Sequence, residues 1–154
     1  MIVVSSCLAG MKVRYNGTHC LHTKIQQLIQ EQKAVAVCPE LLGGFQIPRE
    51  SAEIIGGNGY DVLEGKAKVM EKGGKEVTNL YIEGAYKTWE LVSGLQASMV
   101  VLKENSPSCG SRMIYNGEFL NKRIEGVGVT TALLRKKGIQ VLSEEELSEL
   151  VQIF

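Results

Sequence analysis

Three short apolar runs each end in a cysteine set in a polar turn, and that recurrence narrows the folds open to this chain. Ile2-Val3-Val4 leads into Ser5-Ser6-Cys7, and Ala34-Val35-Ala36-Val37 leads into Cys38-Pro39-Glu40. Ala97-Ser98-Met99-Val100-Val101-Leu102 leads into Lys103-Glu104-Asn105-Ser106-Pro107-Ser108-Cys109-Gly110. Short, nearly continuous apolar runs bounded by turn residues read as buried β-strands. Pro39 lacks the amide donor that would extend a ladder. Pro107 fixes its own φ and biases Ser106 toward an extended backbone, while Gly110 allows geometries that a Cβ forbids. Each thiol is thereby presented from a stiff turn at the carboxyl end of a strand.

Between these strands lie helical patterns. Thr23 caps a helix expected to run to about Gln32, with Ile25, Leu28 and Ile29 as its apolar stripe. The longest helix is expected over about 79–93, with Tyr81, Ala85, Trp89 and Val92 on one face and Gly94 at its stop. A further helix over 128–135 ends at Gly138, and Ile139-Gln140-Val141-Leu142 is a fourth strand. Ser143-Glu144-Glu145-Glu146 forms a capping box that opens a last helix. Strand and helix alternation implies right-handed crossovers and an α/β fold: a single Rossmann-like domain over 1–154, with a mainly parallel sheet flanked by helices. In open sheets of this kind ligands bind beyond the carboxyl ends of the strands, so one fold can bring Cys7, Cys38 and Cys109 together. The remaining segments read as connections. Residues 38–49 form a long loop too apolar to be disordered, 56–59 a surface turn, 66–77 an exposed hairpin, and 111–126 a polar stretch with an Asn116-Gly117 turn.

The 154 residues carry 17 basic and 17 acidic side chains, and this zero net charge makes no demand for a polyanionic partner. No apolar run approaches transmembrane length and the start lacks signal-peptide character, so a cytoplasmic location is expected. In a reducing compartment four cysteines read as buried, catalytic or metal-bound rather than as disulfides. The spacing of Cys7, Cys20, Cys38 and Cys109 contains no C-x-x-C pair. A zinc ribbon, a ferredoxin run and a thioredoxin motif therefore lose support. A buried cysteine is commonly a small hydrophobe, yet polar turns are poor places for inert core thiols. Three thiolates without a close fourth suit either a site-differentiated iron–sulfur cluster or a zinc ion with an open position, and composition does not choose between them.

Several separated motifs, in order, resemble the thiouracil desulfidase family. Ser5-Ser6-Cys7-Leu8-Ala9-Gly10, Val13-Arg14-Tyr15-Asn16-Gly17, Val37-Cys38-Pro39-Glu40-Leu41-Leu42-Gly43-Gly44 and Ile47-Pro48-Arg49 carry the first half. The segment 102–110, then Tyr115-Asn116-Gly117 and Gly126-Val127-Gly128-Val129-Thr130, carry the second, so the likeness spans nearly the whole chain. The resemblance implies a [4Fe-4S] cluster held by Cys7, Cys38 and Cys109, with one open iron that takes the sulfur of a thiolated base. The implied reaction is non-redox: water replaces sulfur at the base carbon. The family's acidic residue maps onto Glu40 and its serine onto Ser106, which makes these two the catalytic candidates.

The chemistry agrees with those roles. An exposed iron is a thiophilic Lewis acid that polarises a thiocarbonyl. Water is a weak nucleophile at neutral pH, so a positioned carboxylate such as Glu40 is needed as general base. Ser106 or Ser108 suits a hydrogen bond to a ring nitrogen or carbonyl. Arg14 and Arg49, on loops beside the proposed ligands, suit bidentate contacts to a base or phosphate. The expected partner is a small thiolated pyrimidine such as 2-thiouracil, with no membrane involvement and no oligomeric state specified. Two departures from the family pattern stand out: Asn16 occupies a place where aspartate is common, and His19, Cys20 and His22 add ligand types the motifs do not require. If Cys20 capped the fourth iron, the centre would be closed and structural. The rival readings are thus a non-catalytic zinc or iron–sulfur module, and desulfuration of thiolated nucleosides within RNA.

Overall fold

The computed structural model describes residues 1–9, 23–46 and 50–146. Arg14, Asn16, His19, Cys20, His22 and Arg49 lie outside these described residues, as does the chain beyond the capping box at Ser143. In chain order the elements are β1 (Ile2–Ser5), α1 (Thr23–Gln30), β2 (Ala34–Val37), α2 (Pro39–Leu42), β3 (Ala52–Ile55), α3 (Gly59–Leu63) and β4 (Lys68–Glu71). Then follow α4 (Thr78–Gly94), β5 (Met99–Leu102), β6 (Met113–Tyr115), β7 (Arg123–Glu125), α5 (Val129–Lys136) and β8 (Gln140–Ser143).

The expected α/β fold is present as a four-stranded sheet in the order β2-β1-β5-β8, with every neighbouring pair parallel. Ile2 pairs with both Ala34 and Met99, and Met99 with Gln140, so the strands begin in step. They also end in step, which puts the turns that follow β1, β2 and β5 at one edge. Side chains alternate across the sheet as the pleat requires. Val4 and Val101 pack with Ile25 and Leu28 of α1 on one face. Val3, Val100 and Leu102 pack with Val92 of α4 and Leu134 of α5 on the other. Among the described residues no helix is long and apolar enough to cross a membrane.

Three segments depart from their expected form. Residues 39–42 are a short helix rather than open loop. Asn58 caps α3, accepting from the amides of Tyr60 and Asp61, while the Asp61 carboxylate accepts from the Asn58 amide. That reciprocal cap turns the expected surface turn at 56–59 into a helix start. The expected hairpin at 66–77 forms, with the bridge Met70↔Glu76, but it is not exposed: β4 also pairs antiparallel with β3, and Ala67, Val69 and Val77 are buried. The Asn116-Gly117 turn does join two strands, because β6 and β7 form an antiparallel ribbon.

Candidate active site

Each of the three thiols owes its place to the turn behind it. Cys7 sits in a one-turn 3-10 helix, Ser6–Ala9, directly after β1. Cys38 closes β2 and precedes α2, its carbonyl accepting from the Leu42 amide at 3.1 Å. Pro39 occupies the first position of that helix, where a missing amide costs nothing. The Cys109 turn is fixed from two sides. The Ser106 hydroxyl oxygen accepts from the amides of Ser108 and Cys109, at 3.0 and 3.2 Å. The carbonyls of Pro107, Ser108 and Gly110 accept from the amides of residues 128–131 at the start of α5. That helix has no side-chain cap, so the cysteine turn itself satisfies its free amides. Gly128 is required at this junction, since a Cβ there would meet the Ser108 carbonyl carbon at 2.4 Å.

Helix α2 is seated just as closely. A Cβ on Gly84, in the middle of α4, would lie 2.2 Å from the Pro39 carbonyl oxygen, and one on Gly43 2.3 Å from that of Leu80. Two facing glycines therefore let the helix that carries Glu40 rest on α4, bringing Tyr81 within reach. The Tyr81 hydroxyl donates to Glu40 Oε2 at 2.9 Å, and the Ser106 hydroxyl donates to Glu40 Oε1 at 3.4 Å. Tyr81 is buried, with its ring set edge-on to Phe45 at 5.0 Å.

These turns enclose a cavity of about 350 Å³ whose wall includes Cys7, Cys38, Cys109, Glu40, Ser106 and Tyr81. Burial pushes the Cys109 thiol well up, and the Glu40 carboxylate and the thiols of Cys38 and Cys7 add to the rise. The Ser108 hydroxyl opposes it by hydrogen-bonding the sulfur. Three thiolates beside a carboxylate in a shielded cavity repel one another, and a cationic centre removes that cost. An all-sulfur donor set is the chemistry that iron–sulfur clusters use. Among the described residues, no three His, Cys, Asp or Glu side chains are gathered closely enough to share one metal ion. The thiols instead stand around the cavity wall.

Ser108 calls for a correction. Expected beside the substrate, it is 1% exposed, absent from the cavity wall, and its hydroxyl lies 2.7 Å from that of Thr130. With Ser108 donating to the Cys109 sulfur, Thr130 donates to Ser108. Two other groups gain importance only in the fold. Tyr81 reads in sequence as a core residue on a helix face, and its hydroxyl's contact with Glu40 spans 41 positions. Glu104 lies inside the quoted motif, where its residue type alone carries no hint of the amides it collects.

The family model for 2-thiouracil desulfurase matches residues 2–146. The chain is 58% identical over 151 residues to the uncharacterized protein YbbK of Bacillus subtilis (strain 168), covering 98% of this chain and all of that one. Among solved structures it is similar to the [4Fe-4S]-dependent thiouracil desulfidase TudS, with a TM-score of 0.86 and 40% identity over 99% of this chain and 95% of that one. The chain belongs to the 2-thiouracil desulfurase family.

Proposed function

We infer that this protein is a [4Fe-4S]-dependent thiouracil desulfidase that takes sulfur from a thiolated pyrimidine by non-redox hydrolysis. The observation that carries the reading is the meeting of Cys7, Cys38 and Cys109 with Glu40 around one cavity. Cys7, Cys38 and Cys109 would hold the cluster, an all-sulfur donor set of the kind such clusters use. When bound, the cluster supplies a thiophilic Lewis acid that polarises the thiocarbonyl.

The protein's own groups manage water and protons. Two amides fix the Ser106 oxygen, so its hydroxyl proton is directed at Glu40. Tyr81 holds the other carboxylate oxygen. Glu40, steadied at both oxygens, takes the proton from a water molecule as that water attacks the ring carbon. The new carbon–oxygen bond replaces the carbon–sulfur bond, the two protons of the water leave with the sulfur as hydrogen sulfide, one of them by way of Glu40, and 2-thiouracil becomes uracil with no change of oxidation state. The Thr130–Ser108 pair stabilises the negative charge on Cys109, a supporting part rather than a contact with the base.

Anaerobic reconstitution tests the reading. The expected product is a brown protein with about four iron and four sulfide per chain that releases sulfide from 2-thiouracil. Replacing Cys7, Cys38 or Cys109 by Ser should remove most of the iron. A colourless, inactive protein after reconstitution would refute the assignment. A panel of free base, nucleoside and thiolated RNA would fix the substrate size.

A further inference from the structure

We propose that Phe119 forms the stacking wall for the pyrimidine ring and that Glu53 holds it there. This inference rests on the thiouracil reading above. The cavity with the three thiols and Glu40 also reaches Tyr115 and Phe119 on the β6–β7 ribbon. Neither ring belongs to the apolar clusters that make up the core among the described residues. Phe119 is half-buried at this cavity rather than part of the core, a position where a planar ligand can meet its ring.

The backbone that presents this ring is strained. Phe119 has φ +59° and Asn121 φ +58°, the left-handed region that residues with a Cβ seldom enter. Such conformations persist only where the surroundings impose them, and they gather at functional sites. Here the restraint is Glu53 on β3, which is 7% exposed. Its Oε1 accepts from the Gly117 amide at 2.9 Å and from the Phe119 amide at 3.2 Å. Gly117, at φ +92°, lies so close to β3 that a Cβ would come within 2.7 Å of the Ile54 carbonyl oxygen. The turn closes through the Asn116 amide to the Lys122 carbonyl at 2.9 Å and the Glu118 amide to the Asn116 side chain at 3.0 Å. A buried carboxylate on a separate sheet thus fixes the two residues that orient one ring. Stacking is tolerant of substituents because every base offers a π face. The wall would therefore select planar aromatic bases while leaving the identity of the thiocarbonyl to the other side of the cavity.

The test measures binding of uracil, the unreactive product, to cluster-loaded protein by calorimetry. Phe119→Leu keeps an apolar side chain but removes the π face. Its dissociation constant for uracil should rise about tenfold, with a parallel fall in kcat/KM for 2-thiouracil. Iron content, the cluster absorption spectrum and the melting temperature should stay as in the wild type. Phe119→Trp should restore binding. Weak binding of 5,6-dihydrouracil, which lacks the aromatic face, should hardly change between wild type and Phe119→Leu. Glu53→Ala should weaken uracil binding in the same direction, and its loss should not add to that of Phe119→Leu, since both remove one wall. The proposal is overturned if Phe119→Leu binds uracil as tightly as wild type, or loses uracil and dihydrouracil equally. A loaded wild-type protein that neither binds uracil nor attacks 2-thiouracil would overturn the underlying function instead.

Discussion

Of the four glutamates that line the cavity, Glu40 and Glu104 have hydrogen-bond partners that give them opposite work. Glu104, on the Cys109 loop, is 2% exposed, and its Oε1 accepts from the amides of Asn105, Ser111, Arg112 and Met113. Its Oε2 accepts from the Ser111 hydroxyl. Burial pushes this carboxyl up, but the amides of Arg112, Met113 and Ser111 outweigh burial and hold it below its ordinary value. Glu40, on α2, is held by the hydroxyls of Tyr81 and Ser106. Backbone amides only donate, so a carboxylate ringed by them keeps its charge and serves as a clamp for the loop. A hydroxyl both donates and accepts, so a carboxylate held by hydroxyls can take up a proton and return it. Proximity to a cysteine does not distinguish these two glutamates; the four backbone amides gathered on Glu104 do.

The contrast breaks most visibly at Glu40. Glu40→Gln keeps the shape and removes the base, so kcat should fall by roughly 10²- to 10⁴-fold. Iron and sulfide content should be unchanged; loss of the cluster in this variant would make Glu40 a structural residue. Glu104→Gln should do the reverse, placing an amide donor among amide donors and costing about 3 kcal/mol of stability. Denaturant unfolding of both variants should separate them, with Glu40→Gln close to the wild type. The Glu104 contribution also has a sign in pH. Because its folded value is depressed below the unfolded one of about 4.3, the stability is fully present above that pH. It is lost as pH falls through the folded value. The gap between wild type and Glu104→Gln should therefore be constant near neutrality and close in acid, below about pH 4.

The three thiols were legible in sequence because a buried apolar run and a following polar turn are both local signals. Their convergence followed from parallel topology, since strands in step deliver their turns to one edge. Side-chain direction is not local, and there sequence reasoning failed. Ser106 and Ser108 look equivalent in Ser-Pro-Ser-Cys, yet one faces Glu40 and the other is sealed against Thr130. The start of α3 escaped notice because Asn58 and Asp61 form the reciprocal cap in a glycine-rich stretch that resembles a turn. The ribbon of β6 and β7 has only three residues in each strand, too few for alternation to register. Gly84 carries no signal of its own within a helical pattern. Its purpose emerges only when Pro39 is found against it.

That glycine offers a smaller way to sharpen the comparison, because it positions Glu40 without touching Glu104. Alanine is the better helix former by about 1 kcal/mol, so Gly84→Ala would stabilise α4 if nothing lay opposite. A Cβ 2.2 Å from the Pro39 carbonyl oxygen cannot be accommodated without moving α2. Overpacking of this kind costs typically about 1–3 kcal/mol, which leaves a net loss of about 0–2 kcal/mol. The loss should appear as a lowered melting temperature together with reduced kcat, whereas a variant more stable than wild type would show that α2 yields freely.

The smallest expected change comes from Tyr81→Phe, which removes one oxygen and leaves the ring against Phe45. The lost bond is a 2.9 Å contact to a carboxylate, and hydrogen bonds to charged groups are worth about 1.5–3 kcal/mol when buried. Ser106 remains to hold the other oxygen, so only part of that should reach the barrier. We expect kcat to fall by about tenfold, which corresponds to about 1.4 kcal/mol, with KM for 2-thiouracil little changed. Equal losses in Tyr81→Phe and Glu40→Gln would mean that Tyr81, and not the carboxylate, carries the proton. A rise in KM alone would place Tyr81 against the base. The graded result, a large effect at Glu40 and a modest one at Tyr81, is what a hydroxyl-held general base requires.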